Sequence, residues 1–203
     1  EHLIRLDSSL SKLSIPSPMS KSSIRIILNR IIHKNHIDEG LLYIQITRGQ
    51  ARRNHSYTKD MVPSLVVTAR STSLPPQNLS ENGVSVITYP DIRWKRCDIK
   101  SLSLLPNVLA KQEAKDKNAF EAIFVDDSGY ITEGSSSNVW IVSNEGKLIT
   151  RHIDNLILSG VTRHTLINFC IEKGLEFEEK SFSRDEAINS KEVFLTSTGI
   201  FIL

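Results

Sequence analysis

Lys100 stands alone in RCDIKSLSLL, between VSVITYP, patterned like a strand, and LLPNVLAKQEAKDKN, patterned like a helix. A lysine amine can condense with the carbonyl of an aldehyde cofactor or substrate if partial desolvation leaves enough of it neutral to attack. A place at the end of a strand, facing the same interior as Ile99 and Leu102, would meet that need; a solvated surface charge is the competing reading. Glu133 lies in ITEGSSSNVWIV, where Gly134 and three serines precede an apolar strand. It reads either as part of a solvated bend or as an acid held ionised by hydroxyls and backbone donors to meet a cationic group of a ligand. In LILSGVTRHTLI, Gly160, Val161 and Thr162 open an amphipathic helix, whose free N–H groups form a ready phosphate site. Ser197 and Thr198, leaving a strand in FLTSTG, and Arg5 in HLIRL are candidate further phosphate donors. The loop segment ARRNHSY carries Arg52, Arg53 and His55, either a solvated basic loop or a trap for a carboxylate.

Two sets of elements have to position these groups. Residues 1 to about 74 read as helix, helix, strand, loop, strand. SKSSIRIILNRIIHKNHI carries an apolar helical stripe at 24, 27, 28, 31 and 32, with Ser22 or Ser23 as N-cap. LLYIQITRG and SLVVTAR are strands, separated by a polar loop too long for a simple hairpin turn. TSLPPQNLSENG, Thr72 to Gly83, is the linker candidate, so the predicted domains are 1–74 and 75–203. Past it, strands are expected in VSVITYP, AFEAIFVD, NVWIVS, KLIT, LEFEEKSF and EVFLTST, and helices near 104–117, 161–173 and 183–189. DDSG and NEGK read as turns between hairpin-like strand pairs.

Composition narrows the function classes. The chain has 203 residues, 39% hydrophobic and 24% charged, as in a globular protein. A net charge of +2 argues against a nucleic-acid or membrane surface. Arg52, Arg53, Arg93, Lys95 and Arg96, with Trp94 and Tyr57 for stacking, would suit a nucleic-acid patch, but no module signature accompanies them. No apolar run approaches the ~20 residues of a membrane span. Cys97 and Cys170 lack metal-ligand spacing, no metal site is predicted, and a reducing cytoplasm is expected. EHLIRLDSSLSKL already looks like the inside of a fold and EVFLTSTGIFIL stops in an apolar run, so residues are expected to be missing at both ends.

In combination, ITRGQARRNH, DIRWKRCDIKSLSLLPNVLAKQEA, ITEGSSSNVW, LILSGVTR and FLTST resemble the class IV pyridoxal-phosphate aminotransferases, within them the D-amino-acid branch. The resemblance runs through essentially the whole chain. It implies an α/β (α+β) fold of two domains, PLP fold type IV, with an N-terminal α/β sandwich (truncated) and a C-terminal pseudo-barrel. It implies pyridoxal 5′-phosphate as cofactor, held by Lys100 as an internal aldimine, with Lys100 then moving the substrate α-proton. Glu133 would face the pyridine nitrogen, Leu158 would lie against the ring, and Ser135 to Ser137 would support the site around Glu133. Arg5, the backbone at Val161, Thr162, Ser197 and Thr198 would hold the phosphate, while Arg53 and His55 would bind the substrate carboxylate. The implied reaction is ping-pong transfer of the amino group of a D-amino acid, D-alanine in type, to 2-oxoglutarate or pyruvate. A homodimer is implied as well.

Two departures stand out. A family tyrosine that helps bind the carboxylate has no counterpart in these residues, and Gly199 stands where relatives carry a second threonine, followed by IFIL. A branched-chain aminotransferase or a 4-amino-4-deoxychorismate lyase would reuse the same lysine and glutamate; the Arg53-x-His55 pair favours the D-amino-acid branch.

Overall fold

The computed structural model describes residues 1–73 and 78–203. Two compact units are present, Glu1–Leu74 and Pro75–Leu203. The middle of the expected linker, Pro75 and Pro76 included, lies outside the described residues.

The first unit contains α1 (His2–Lys12), α2 (Lys21–Lys34), β1 (Gly40–Thr47) and β2 (Ser64–Ser71). The N-cap of α2 is Ser20 rather than Ser22 or Ser23, because its hydroxyl is the one placed to accept from the Ser23 N–H at 3.1 Å. The expected stripe turns inward, with Ile24 fully buried; Leu10 of α1 is buried too. β1 and β2 pair antiparallel along their whole length, from Gly40 opposite Ser71 to Thr47 opposite Ser64. The long polar segment 48–63 therefore closes one hairpin.

The second unit opens with α3 (Asn78–Asn82), where the sequence pattern predicts linker, and β3 (Val86–Pro90). α4 (Leu105–Asp116) then crosses back so that β4 (Glu121–Val125) lies parallel to β3. Its small residues Ala110 and Ala114 lie flat against Ala122 and Phe124 of β4. β5 (Ile131–Gly134) returns antiparallel to β4 and completes a three-stranded sheet. The pairing skips from Val125–Ile131 to Ile123–Gly134, so Thr132 and Glu133 together oppose the single residue Phe124. This β-bulge was not anticipated from the sequence.

The remaining strands are β6 (Asn138–Val142), β7 (Leu148–Thr150), β8 (Phe177–Glu179), β9 (Glu192–Ser197) and β10 (Phe201–Ile202). They form a second sheet in the order β10-β9-β6-β7-β8. α5 (Val161–Lys173) is the crossover between the parallel β7 and β8, and α6 (Arg184–Ile188) starts on a capping box made by Ser183 and Glu186. α5 ends at Gly174, whose left-handed φ of 64° suits a residue without a side chain. The apolar C-terminal run does not continue as one strand: it turns and folds back, so that β10 pairs with β9.

Apolar residues of both sheets, among them Ile123, Ile131, Val139, Ile149 and Leu195, meet around Phe182. On the opposite face of the second sheet, Trp140 stacks on Phe194 at 5.7 Å and packs under Ile167 of α5. Phe182 is fully buried, and its carbonyl accepts from Ile131 N–H at 3.0 Å. Phe182→Ala should lower the unfolding free energy by ~3–5 kcal/mol in denaturant titration, a cost set by lost transfer energy and the cavity left behind. A loss below about 1 kcal/mol would contradict this placement of the core.

Candidate active site

The bulge at Thr132 and Glu133 aims both side chains at one partner, Arg93. Arg93 sits in the irregular segment after β3 and is held there by Asp91. One Asp91 oxygen accepts from the Arg93 backbone N–H and Nε at 3.1 and 2.9 Å. The other accepts from the guanidinium at 2.7 Å and from the Thr132 hydroxyl at 2.6 Å. The guanidinium reaches Glu133 Oε1 in a short ion pair, donates to the Leu156 carbonyl at 2.8 Å, and lies 4.4 Å over the Phe124 ring.

Glu133 Oε2 is bound from the other side. It accepts from the Leu158 N–H at 2.9 Å and from Asn138 Nδ2 at 3.3 Å, and Asn138 also donates to the Leu158 carbonyl at 2.9 Å. The segment carrying Leu158 is itself fixed. Asp154 accepts from the Leu156 N–H and pairs with Arg151, which donates to the Ile131 carbonyl. Arg163 of α5 in turn donates to the Arg151 carbonyl at 2.8 Å.

Burial pushes the Glu133 carboxyl up to about 7, against the Arg93 charge and the Leu158 N–H, which both favour the ionised form. Burial also opposes the charge on Arg93, but hydrogen bonds and the charges of Asp91 and Glu133 outweigh it and hold the guanidinium above its usual range. The two ends of this ion pair thus pull in opposite senses. Arg93 is the fixed cation because it has a second carboxylate in Asp91; Glu133 is the member whose proton occupancy changes near neutrality. Burial raises Cys97 to about 11, so its thiol stays protonated and donates to the Trp94 carbonyl.

Asn138 is the hinge of the remaining geometry. On one side it stands in register with Thr196, whose hydroxyl accepts from Trp140 Nε1 at 3.1 Å just before Ser197 and Thr198 leave β9. On the other it lies against Gly160, where an added Cβ would come within 2.1 Å of Asn138 Oδ1. Gly160 is the N-cap of α5 and supplies no side-chain cap to the first-turn N–H groups of Val161 and Thr162. Glu133, Leu158, the start of α5 and the exit of β9 therefore surround one asparagine.

Lys100 differs from expectation in two respects. It lies in an irregular segment ten residues beyond β3 rather than at a strand end, and it is exposed; Leu102 is exposed too, whereas Ile99 is buried. Polar anchors, not a strand, position this segment. Cys97 N–H donates to the Asn155 carbonyl at 2.8 Å, and Asn107 Nδ2 donates to the Ser135 carbonyl at 2.9 Å. The serine run also departs from expectation: the Ser135, Ser136 and Ser137 hydroxyls all donate to Glu121 of the neighbouring strand, not to Glu133.

Arg5, Arg53 and His55 belong to the first unit. Arg5 is half-buried on α1, and Arg53 and His55 are exposed in segment 48–63. That segment is braced at its base. Arg48 donates to the Leu13 and Ser14 carbonyls and stacks 3.5 Å from the Tyr57 ring centre. Gly49, at φ 114°, leaves no room for a Cβ against the Val62 carbonyl. Arg93 is buried in ion pairs and so contributes nothing to a basic patch. Among the described residues no cluster of metal-ligating side chains occurs, and no helix is long and apolar enough to cross a membrane.

Arg93, Asp91 and Asn138 were not singled out as site residues by sequence reasoning. The available signal was the Asp-x-Arg spacing directly after a proline-ended strand, but nothing in it announces burial.

The chain belongs to the class IV aminotransferases, whose family model matches residues 1–203. It is 43% identical to the D-alanine aminotransferase of Bacillus licheniformis over 98% of the chain and 69% of that protein. It is 41% identical to the D-alanine aminotransferase of Listeria innocua over 100% of the chain and 70% of that protein. A Legionella pneumophila structure assigned as a 4-amino-4-deoxychorismate lyase superposes with a TM-score of 0.90 at 25% identity, covering 99% of this chain and 74% of that one.

The raised Glu133 carboxyl generates a pH prediction. Its ordinary value is 4.5 and its folded value about 7, so the folded state binds this proton more tightly than the unfolded chain. The stability it contributes is full below 4.5 and is lost as pH rises through 7. In cofactor-free protein, the stability of the parent relative to Glu133→Gln should therefore fall between pH 4.5 and 7.5 in urea titrations. A difference that rises with pH would reverse the assignment.

Proposed function

We propose that this chain transfers the amino group of a D-amino acid of the D-alanine type to a 2-oxo acid, using pyridoxal 5′-phosphate. The observation that carries the reading is Glu133, a buried carboxylate fixed by a charged arginine yet with lone pairs to spare for one more donor. The residues of the second unit suit the cofactor. Glu133 offers an acceptor for a protonated ring nitrogen, and the first turn of α5 offers N–H groups for a phosphate. Ser197 and Thr198 add hydroxyls, Leu158 supplies an apolar side chain beside Glu133, and Lys100 supplies an amine on an anchored segment. Arg5 is assigned to the phosphate, and Arg53 and His55 to the substrate carboxylate. D-Alanine is favoured by the names of the curated relatives and by the Arg53-x-His55 spacing.

When bound, the cofactor supplies an aldehyde that takes up the substrate amine and a ring that accepts the electron pair released from the α-carbon. Glu133 would favour that acceptance by accepting a hydrogen bond from a protonated ring nitrogen. Lys100 Nζ would be the amine that anchors the cofactor aldehyde and the base that takes the substrate α-proton. Arg53 and His55 would fix the orientation of the substrate carboxylate. The donor leaves as a 2-oxo acid before the acceptor enters, giving ping-pong kinetics. We further assign the protein to a reducing cytoplasm, in keeping with its two free cysteines. A homodimer is supported by the exposed apolar side chains of Leu102, Leu104, Leu105, Val108 and Leu109.

An assay offering D-alanine, L-leucine and aminodeoxychorismate side by side tests the reading; turnover of D-alanine with 2-oxoglutarate supports it, and preference for either other substrate overturns it. Lys100→Ala should reduce kcat by about 10³-fold or more, since it removes both the anchoring amine and the proton carrier. Arg53→Ala should raise KM for D-alanine and 2-oxoglutarate by roughly 10- to 100-fold, the loss of one charged carboxylate contact. Unchanged KM would remove Arg53 from that role.

A further inference from the structure

Among the described residues of the second unit, Glu121 is a deeply buried acid that the proposed chemistry does not use. It is 1% exposed and lies at the start of β4, yet its carboxylate is fully occupied. One oxygen accepts from the Ser135 hydroxyl in a short hydrogen bond and from the Ala122 N–H at 3.0 Å, with Lys111 Nζ at 3.3 Å. The other accepts from the Ser136 and Ser137 hydroxyls at 2.8 and 3.3 Å. Three consecutive hydroxyls thus converge on one carboxylate.

Those serines are the turn between β5 and β6, which separates Glu133 from Asn138. The turn is wrapped tightly. Gly134 N–H donates to the Ser137 carbonyl at 2.7 Å, Ser135 N–H donates to the Ala122 carbonyl at 2.9 Å, and a Cβ on Gly134 would lie 2.2 Å from Ser137 Oγ. Glu133 and Asn138, at its two ends, both bind Leu158 and each other. The same turn receives Asn107 from α4, the helix that follows Lys100.

We propose that Glu121 is a positioning residue: by gathering Ser135, Ser136 and Ser137 it sets the separation of Glu133 and Asn138, and through them the Leu158 segment. This rests on the reading of Glu133 as the partner of the cofactor ring nitrogen. A buried charge is costly unless fully hydrogen-bonded, so the three hydroxyls and the carboxylate hold one another in a single arrangement. An apolar side chain at 121 would leave the hydroxyls free to rotate, and Glu133 would lose its fixed distance from Asn138.

The test compares the full-length protein, saturated with pyridoxal phosphate, as parent and as Glu121→Gln, which keeps the size but removes the charge. Two readouts are taken: kcat and KM for D-alanine, and hydrogen exchange of the Leu158 amide, which reports the Glu133 contact without reference to turnover. Expected are a kcat lowered about tenfold or more with KM within about threefold, as for misplacement of a catalytic group. Leu158 exchange should accelerate about tenfold while amides in the middle of α5 keep their protection. Should Glu121→Gln fail to fold, the same two readouts are taken on Ser137→Ala. Leu158 exchange within about twofold of the parent overturns the proposal, as does global loss of protection in α5, which would mark a purely structural role. A parent that does not turn over D-alanine overturns the substrate assignment instead, and the exchange readout still decides the role of Glu121.

Discussion

Several parts of the second unit converge on the ion pair between Arg93 and Glu133. Taking two charges out of water costs several kcal/mol per ion, and such a pair is tolerated only when the remaining donors and acceptors are satisfied. Here they are: Asp91, Thr132 and the Leu156 carbonyl take the other guanidinium donors, while Asn138 and Leu158 N–H take the other carboxylate oxygen. The satisfying groups come from β5, β6, the segment after β3 and the segment before α5. One electrostatic requirement therefore ties together four parts of the chain, spread from Asp91 to Leu158. Of the candidate cofactor groups, Glu133, Leu158 and Lys100 are carried on those same parts.

Much of the framework was legible in the sequence because it obeys local rules. The helix over 161–173 and the strands around Trp140 and Leu195 follow from apolar periodicity bounded by glycine and turn residues. β5 escaped notice because it is short and carries an extra residue; ITEG followed by three serines looks like a turn, and a bulge leaves no period-two signature. The N-cap of α2 shifted by two residues because several serines in succession offer equal local signals.

The site was legible as a set of residues but not as a set of partnerships. The serines were expected to serve Glu133, the charge nearest in sequence, yet they serve Glu121 across the sheet. Arg93 read as surface charge because burial of an arginine depends on carboxylates brought in by folding, Glu133 forty residues downstream among them. Lys100 was expected on a strand because the apolar alternation before it is strong, but β3 ends at Pro90, and Asp91 then turns the chain to present Arg93. In each case a long-range polar contact overrode a local pattern.

The brace at the base of segment 48–63 has a consequence for binding thermodynamics. A segment of that length, left free, would lose much conformational entropy whenever Arg53 and His55 gripped a ligand. Arg48 stacked on Tyr57, together with Gly49 against Val62, removes part of that freedom in advance and leaves a shorter unbraced arc around Arg53 and His55. The ordering cost is thereby shifted from the moment of ligand capture to the folding of the hairpin. Under the proposed role of Arg53 and His55, carboxylate affinity would then depend on residues that never touch the carboxylate, and loosening Tyr57 would weaken capture by entropy alone.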